Sequence, residues 1–187
     1  VCVKHCHHLA AAYEATLITE AKAVWDLRHY SLPVMRDFLR LDDGSLALVM
    51  SYIPGPTIEQ YVKKHGRMDA ESVAWIAERV MNVLRYLHHH GVVHGDIKPQ
   101  NIILQEETHQ IVVVDFGLSM VKPNRNSDPK GYTPVFSPPE QLNGSPLVPE
   151  SDLYSLGMTM LFALSGSAEE AKRLNVPDDA PDALCRF

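Results

Sequence analysis

Two polar segments in the second half of the 187-residue chain hold side chains suited to phosphate chemistry. The first, residues 94–101, contains Asp96, Lys98 and Asn101, and the second begins at Asp115. Phosphoryl transfer needs a carboxylate near the attacking hydroxyl, a cation against the transferred charge, and ligands for a metal ion that bridges the phosphates. Asn and Asp oxygens are ligands that suit Mg²⁺. The spacing therefore predicts a loop that points several such groups into one site.

Elements that would position this loop are predicted from the spacing of apolar residues. A strand ends at Lys4, a helix covers about residues 9–28, and a hairpin follows over 38–50. Glu20 lies on the same helix face as the apolar Leu17, so its carboxylate points inward. A carboxylate on an inward face needs a charged or hydrogen-bonding partner.

The second part of the chain is predicted to be mainly helical. Pro54-Gly55-Pro56 breaks the chain after the strands, and we interpret it as a hinge. Asp69 begins a long amphipathic helix as its N-cap, and Gly91 ends it. The run His88-His89-His90 predicts a solvated helix end, where histidine side chains interact favourably with the C-terminal end of the helix dipole. Residues 151–164 are apolar nearly all round and predict a buried helix.

Composition narrows the class of protein. There are 17 Lys+Arg and 23 Asp+Glu residues, a net charge of −6, which disfavours a nucleic-acid binder. Apolar residues make up 45% and charged residues 21%, as in globular domains. No apolar run is long enough to span a bilayer, and no signal peptide is visible. Three cysteines are too few for a disulfide framework, so we expect a reducing, cytoplasmic location.

Six features in one order resemble the catalytic core of the eukaryotic-type Ser/Thr protein kinases. They are Val1-Cys2-Val3-Lys4, Glu20, the segment 94–101, Asp115-Phe116-Gly117, Pro138-Pro139-Glu140 and Asp152-Leu153-Tyr154-Ser155-Leu156-Gly157. The similarity extends from Val1 to about Gly166. Bacterial relatives often have a sequence like residues 93–101, which suggests a bacterial origin.

The resemblance implies an α+β, bilobal fold. A strand-rich first lobe would cover residues 1–53 and a larger, mainly helical second lobe residues 54–187. Both lobes are expected to be incomplete. The sequence begins at the strand that carries Lys4, without a preceding Gly-rich loop, and stops at Phe187, before the last helices of the family.

The resemblance also assigns roles around the phosphates. Asp96 would be the catalytic base, Lys98 would steady the γ-phosphate, and Thr133 would lie near Asp96. The metal ligands for Mg²⁺ would be Asn101 and Asp115.

The phosphate-anchoring lysine would be Lys4, with Glu20 as its partner and Glu14 as a rival for that place. Around the adenine of ATP, the resemblance implies the gatekeeper Met50, the hinge residues Ser51, Tyr52 and Ile53, and a sandwich of the base between Cys2 and Ile103. A stack of four side chains anchored by Asp152 would be formed by Val24, Met35, His94 and Phe116.

The implied activity is transfer of the ATP γ-phosphate, with Mg²⁺, to a Ser or Thr hydroxyl of a protein substrate, without nucleic acid or a membrane segment. One departure bears on its regulation: Gly95 stands where the family usually has an arginine that grips an activation-loop phosphate. We therefore expect activity that does not depend on phosphorylation of that loop.

Three other interpretations remain beside this one. His94-Gly95-Asp96 also occurs in small-molecule phosphotransferases of the aminoglycoside or choline kinase type, although Lys98-Pro99 and the Pro138-Pro139-Glu140 segment are typical of kinases with peptide substrates. A non-catalytic pseudokinase is the second, although Lys4, Asp96, Asn101 and Asp115 are all present. A zinc site is the third; its candidates have a spacing that fits no common ligand pattern, and they are Cys2, His5, Cys6, His7 and His8.

Overall fold

The computed structural model describes residues 1–5 and 11–175, and for residues 11–13 it describes the backbone alone. Its strands are β1 (Cys2–His5), β2 (Met35–Arg40), β3 (Leu46–Met50), β4 (Val92–Val93), β5 (Ile102–Gln105), β6 (Gln110–Val113) and β7 (Met120–Val121). Its α-helices are α1 (Ala11–Val24), α2 (Ile58–His65), α3 (Ala70–His89), α4 (Pro139–Leu142), α5 (Pro149–Ser165) and α6 (Ala168–Lys172).

The first part of the chain is an antiparallel sheet with one helix packed on it. The strand order is β1-β3-β2, so that β3 lies in the centre, with Cys2 opposite Met50 and Phe38 opposite Leu48. Helix α1 lies between β1 and β2 in the chain and packs against β3, and it buries Leu17. The sheet and α1 together hold Lys4 on β1 near the inward face of the helix.

Two capped helices follow the Pro54–Pro56 segment. Thr57 forms a capping box with Gln60, in which each side chain bonds the other residue's backbone N–H, and this begins α2. Asp69 accepts from the backbone N–H of Ser72 at 2.9 Å and begins α3. Helix α3 then buries a stripe at helical spacing: Val73, Ile76, Val80, Val83, Leu84 and Leu87.

Helix α5 forms the centre of the helical part. It buries residues on nearly every side and packs against α2, α3 and α6. It ends at Gly166, whose φ of 80° is the left-handed conformation that glycine adopts without steric cost. The β5–β6 hairpin contacts both parts of the chain: Ile103 bridges Thr57 at the start of α2, and the backbone N–H of Val113 donates to the carbonyl of Ser31, between α1 and β2, at 2.9 Å.

The predicted α+β architecture is confirmed, with differences in detail. The first helix is shorter than the predicted 9–28, since it ends at Val24, and the buried helix extends over 149–165 rather than 151–164. Helix α2 was not predicted. Within residues 1–5 and 11–175, no helix is long and apolar enough to cross a membrane. The division at residue 53 remains a prediction.

Candidate active site

The predicted catalytic residues lie together in the segment that follows β4. Thr133 Oγ1 donates to Asp96 Oδ1 at 2.6 Å, and Lys98 Nζ lies 2.6 Å from Asp96 Oδ2 and 3.1 Å from Thr133 Oγ1. Asn101 Nδ2 donates to the carbonyl of Asp96 at 2.9 Å and to its Oδ2 at 3.0 Å. Both carboxylate oxygens of Asp96 are therefore held in fixed positions, and Asp96 is only 7% exposed.

A fully buried aspartate on α5 braces this loop. Asp152 accepts from the backbone N–H groups of His94 at 2.9 Å and Gly95 at 2.8 Å. His88 Nε2 also lies 2.7 Å from Asp152 Oδ2. The prediction of a solvated end for all three histidines is wrong for His88, whose side chain is 15% exposed. The last turn of α3 packs towards the start of α5, and this turns His88 inward.

A second charged cluster joins the sheet, α1 and the segment after β6. Lys4 Nζ lies 2.6 Å from Glu20 Oε2 and 2.7 Å from Asp115 Oδ1. Of the two candidate partners for Lys4, the contact is thus with Glu20 and not with Glu14. The inward carboxylate that the helix spacing predicted has the partner that its burial requires.

Burial and charge act in opposite directions in this cluster. Burial acts to lower the pKa of Lys4, but the charges of Glu20 and Asp115 outweigh it, and the pKa is raised above its usual value. Burial raises the pKa of Glu20, and Lys4 only partly opposes it. For Asp115, burial acts upward, and the charge of Lys4 outweighs it, so the pKa is lowered. Lys4 and Asp115 are therefore both charged at neutral pH.

His94 connects the catalytic loop to an apolar stack. Its ring lies 4.6 Å from that of Phe116, centroid to centroid, and both residues are fully buried. Val24 and Met35, the other members of the predicted stack, are buried in the same core as Phe116. Burial lowers the pKa of His94. In the neutral ring, Nδ1 accepts from the backbone N–H of Asp96 at 3.2 Å while Nε2 donates to the carbonyl of Val114 at 3.3 Å.

The two proposed metal ligands are linked through the backbone. The N–H of Val114, which precedes Asp115, donates to the carbonyl of Asn101 at 2.9 Å. The amide nitrogen of Asn101 is used by Asp96, which leaves the amide oxygen outside that contact, and the Asp115 side chain is 43% exposed. Mg²⁺ commonly takes one or two protein oxygens together with substrate phosphates and water, so this pair fits the ion.

Residues proposed for the adenine line the connection between the sheet and the helices. Cys2 and Met50 are register partners on β1 and β3, and the segment after Met50 carries Ser51, Tyr52 and Ile53. Tyr52 is 66% exposed, whereas Ile53 and Ile103 are half-buried. Ile103 lies on β5 and reaches this connection through its bridge to Thr57.

Close contact at Gly55 keeps this connection against β5. A Cβ built on Gly55 would lie 2.0 Å from the carbonyl oxygen of Leu104, so only glycine fits. The backbone N–H of Leu104 also donates to the carbonyl of Pro56 at 2.8 Å.

Gln141 is a residue of this site that the sequence did not predict. It is 3% exposed, and its Nε2 donates to the carbonyls of Gly95 at 2.9 Å and Gly131 at 2.7 Å. It thus joins the catalytic loop to the segment that carries Thr133. Nothing in the spacing of apolar residues marks Gln141, because both of its partners are backbone groups distant in sequence.

A zinc site gains no support from the described residues. Residues 1–5 and 11–175 hold no group of three or more His, Cys, Asp or Glu side chains that could bind a metal ion. Cys6, His7 and His8 lie outside the described residues.

Comparison with known proteins agrees with the geometry. A family model described as the protein kinase domain matches residues 1–173. The chain belongs to the protein kinase family. This kinase chain is 31% identical over 157 residues to Serine/threonine-protein kinase pkn3 of Myxococcus xanthus, covering 79% of the chain and 29% of that protein.

Two further relatives have similar names. The chain is 32% identical over 133 residues to Serine/threonine-protein kinase F of Synechocystis sp., covering 68% of the chain and 27% of the relative. It is 35% identical over 137 residues to Serine/threonine-protein kinase YPK3 of Saccharomyces cerevisiae, covering 67% of the chain and 26% of the relative. The kinase chain thus spans less than a third of the length of these relatives.

Proposed function

We propose that the protein transfers the γ-phosphate of ATP to Ser or Thr hydroxyls of a protein substrate. The observation that carries this proposal is the hydroxyl of Thr133, which donates to Asp96 Oδ1 at 2.6 Å. A substrate hydroxyl in the same position would make the same hydrogen bond, and Asp96 would accept its proton as it attacks. Lys98, 2.6 Å from the other carboxylate oxygen, would stand against the negative charge of the transferred group.

The remaining site residues would hold the nucleotide. Mg²⁺ would neutralise charge on the phosphates, and Asn101 and Asp115 are the residues to hold it. Lys4, whose charge is fixed by Glu20 and Asp115, would contact the phosphates. For the adenine we propose the gatekeeper Met50, the hinge residues Ser51, Tyr52 and Ile53, and the flanking residues Cys2 and Ile103.

Phosphate transfer to a generic protein substrate tests the proposal. We expect Asp96→Asn to lower the rate by about 10²–10⁴-fold, the usual loss of a general base, while the exposed Asp26→Asn leaves it unchanged. Thermal unfolding with Mg·ATP separates binding from chemistry. The ligand should raise the melting temperature of Asp96→Asn as it does that of the parent, and much less that of Lys4→Met.

Three results would contradict the proposal. Full activity in Asp96→Asn would remove the assigned base. Phosphorylation of an aminoglycoside or choline, with none of protein, would favour the small-molecule phosphotransferase that His94-Gly95-Asp96 also suggests. No thermal shift at saturating Mg·ATP would favour the non-catalytic alternative.

We further infer that activity does not require phosphorylation of the segment that carries Thr133. At Gly95, φ is 73°, and an added Cβ would lie 2.8 Å from Leu147 Cδ1 and 3.0 Å from the carbonyl of Leu118. A side chain such as arginine is therefore disfavoured there. The tie between the two segments is instead Gln141, which needs no phosphate.

Substitutions in that segment test this inference. Ser127→Ala combined with Tyr132→Phe, expressed with a phosphatase, should keep the parent's rate. Gln141→Leu should lower kcat, because both of its hydrogen bonds to the carbonyls of Gly95 and Gly131 are lost. Loss of activity in the double variant, restored by Ser127→Glu, would contradict the inference.

A further inference from the structure

One lysine joins the two ends of the polar loop that lies between the proposed metal ligand Asp115 and Thr133. Lys130 Nζ donates to the backbone carbonyl of Ser119 at 2.8 Å, and we call this contact the lysine tether. Ser119 lies shortly after Asp115 in the chain, and Lys130 lies shortly before Thr133. We propose that Lys130 is a positioning residue, whose tether keeps Thr133 on Asp96 for the transfer reaction. This role rests on the proposed function, whereas the tether itself does not.

The acceptor end of the lysine tether is held firmly. Ser119 is fully buried, and both its backbone N–H and its hydroxyl donate to the carbonyl of Phe116, at 3.0 Å and 2.6 Å. Phe116 is itself fully buried and lies against the ring of His94. Because Ser119 is fixed in this way, the tether restrains the end of the loop that carries Lys130.

The ammonium group of Lys130 depends on this carbonyl. Burial of the ammonium lowers the pKa of Lys130, and no charged neighbour in the part of the chain that the structure describes opposes this effect. A polar group that is withdrawn from water needs a hydrogen-bond partner, and the carbonyl of Ser119 is that partner. An ammonium that donates to a carbonyl makes a charge-assisted bond, which is stronger than a bond between neutral groups. The rest of the side chain is exposed, so Lys130 contributes this bond rather than packing.

The lysine tether and Gln141 act on neighbouring residues but reach different segments. Gln141 Nε2 donates to the carbonyls of Gly131 and Gly95, and so joins this end of the loop to the catalytic loop. Lys130 joins the same end to Ser119. Neither contact makes the connection of the other, so Gln141 does not compensate for loss of the tether. Both contacts are made without a phosphate.

Loss of the tether should affect the loop rather than nucleotide binding. Residues 120–129 lie between the two ends, and most of them are exposed. Without the tether, this loop gains conformational freedom at the end that carries Lys130, and Thr133 spends less time on Asp96. The residues proposed to bind ATP and Mg²⁺ lie outside the loop. We therefore expect a lower kcat, with little change in the KM for Mg·ATP.

Kinetics of three variants tests the proposal. Lys130→Met should lower kcat about fivefold, the population change that corresponds to one net hydrogen bond, and leave the KM for Mg·ATP within about twofold. Lys130→Arg should keep about half of the parent's kcat or more, because a guanidinium can donate to the same carbonyl. Lys122→Met is the matched control, since it removes the same charge from an exposed lysine of the same loop and should keep the parent's kcat. Mg·ATP should raise the melting temperature of all three variants as it does that of the parent.

Cleavage by an arginine-specific protease measures the tether without ATP or substrate. Arg125 lies exposed in the middle of the loop. Because proteolysis requires local opening, cleavage after Arg125, located by mass spectrometry, should be about fivefold faster in Lys130→Met than in the parent. Lys130→Arg and Lys122→Met should be cleaved at nearly the parent's rate. If the parent phosphorylates no protein, the proposed function is wrong, and the cleavage rates still decide the tether.

Four results would overturn the positioning role of Lys130. An unchanged kcat in Lys130→Met would show that the tether does not position Thr133. An equal loss of kcat in Lys130→Arg would show that the charge-assisted bond is not responsible. An equal loss in Lys122→Met would mean that the general positive charge of the loop is the cause. An unchanged rate of cleavage after Arg125 in Lys130→Met would mean that Lys130 does not hold the loop.

Discussion

Replacing Gly95 by alanine tests the physical argument for glycine beside the proposed catalytic base. Gly95 has a φ of 73°, in the left-handed region, and a Cβ there would approach Leu147 Cδ1 at 2.8 Å and the Leu118 carbonyl oxygen at 3.0 Å. Two separate effects therefore disfavour any side chain at this position. One is the left-handed backbone conformation, and the other is the lack of space for a Cβ beside Leu147 and Leu118.

The magnitudes of these effects can be separated. A left-handed conformation costs an L-residue about 1–2 kcal/mol. Overpacking a buried site costs about 1–3 kcal/mol more, and Leu147 is only 1% exposed. Gly95→Ala should thus lower the free energy of unfolding by about 2–5 kcal/mol.

Two other glycines supply matched controls. Gly144 has a φ of 72° with nothing within 4 Å of an added Cβ, so Gly144→Ala should show only the backbone effect, about 1 kcal/mol. Gly157 lies exposed in α5 with open space around it, and Gly157→Ala should stabilise the protein by about 0.5–1 kcal/mol. The assay is urea unfolding of all three variants and the parent.

One order of results would refute the reasoning. If Gly95→Ala were no more destabilising than Gly144→Ala, the contacts with Leu147 and Leu118 would not restrict residue 95. The left-handed backbone would then be the whole effect. These contacts would then also fail to explain why residue 95 is not an arginine.

Three further variants test other contacts of the same loop. Asp152→Ala should lower the free energy of unfolding by about 3 kcal/mol or more, because it leaves buried N–H groups unpaired; the exposed Asp26→Ala should change it by less than about 0.5 kcal/mol. Since burial lowers the pKa of His94, the unfolded chain binds a proton first. The free energy of unfolding should therefore fall as the pH drops below about 6.5, by up to about 1.4 kcal/mol per pH unit from this group. Urea titrations at several pH values in this range should show a smaller change in the free energy of unfolding with pH in His94→Gln, and the same change as in the parent in His89→Gln. Thr57→Ala should cost about 1 kcal/mol by loss of the capping box, measured in the same way.

Local patterns in the sequence predicted the parts of the site that depend on local geometry. The helical spacing of Leu17 and Glu20 placed a carboxylate on the inward face of α1, and its burial required a partner, which is Lys4. The spacing of Asp96 and Asn101 predicted a single loop, and their side chains are 3.0 Å apart. In both cases the residues lie within one helix or one loop, so the geometry of that single element decides where their side chains lie.

Helix α2 begins at a local signal that lies outside the spacing of the apolar residues. Thr57 and Gln60 have the spacing of a capping box, and they form one. The short helix that follows has basic residues in its last turn, as helix ends favour. The proline-rich segment before Thr57 indicated a break, and the helix after it could have been predicted from these residues.

Contacts made by polar residues over long sequence distances could not be predicted in this way. His88 is polar and near a helix end, which favours solvent, but its partner is Asp152, 64 residues away. Gln141 contacts Gly95, 46 residues away. Periodicity shows which face of a helix is buried. It does not show which polar side chain on that face will meet a backbone group from another element.

These long-range contacts together explain how the proposed catalytic loop is held at Gly95. Its N–H donates to Asp152 and its carbonyl accepts from Gln141, so both peptide groups of this residue are used. Its positive φ and the closeness of Leu147 exclude a side chain without strain. In relatives with arginine at this place, a side chain and a phosphate would make the connection. Here the Gln141 side chain makes it by donating to the backbone carbonyls of Gly95 and Gly131, and neither hydrogen bond involves a phosphate.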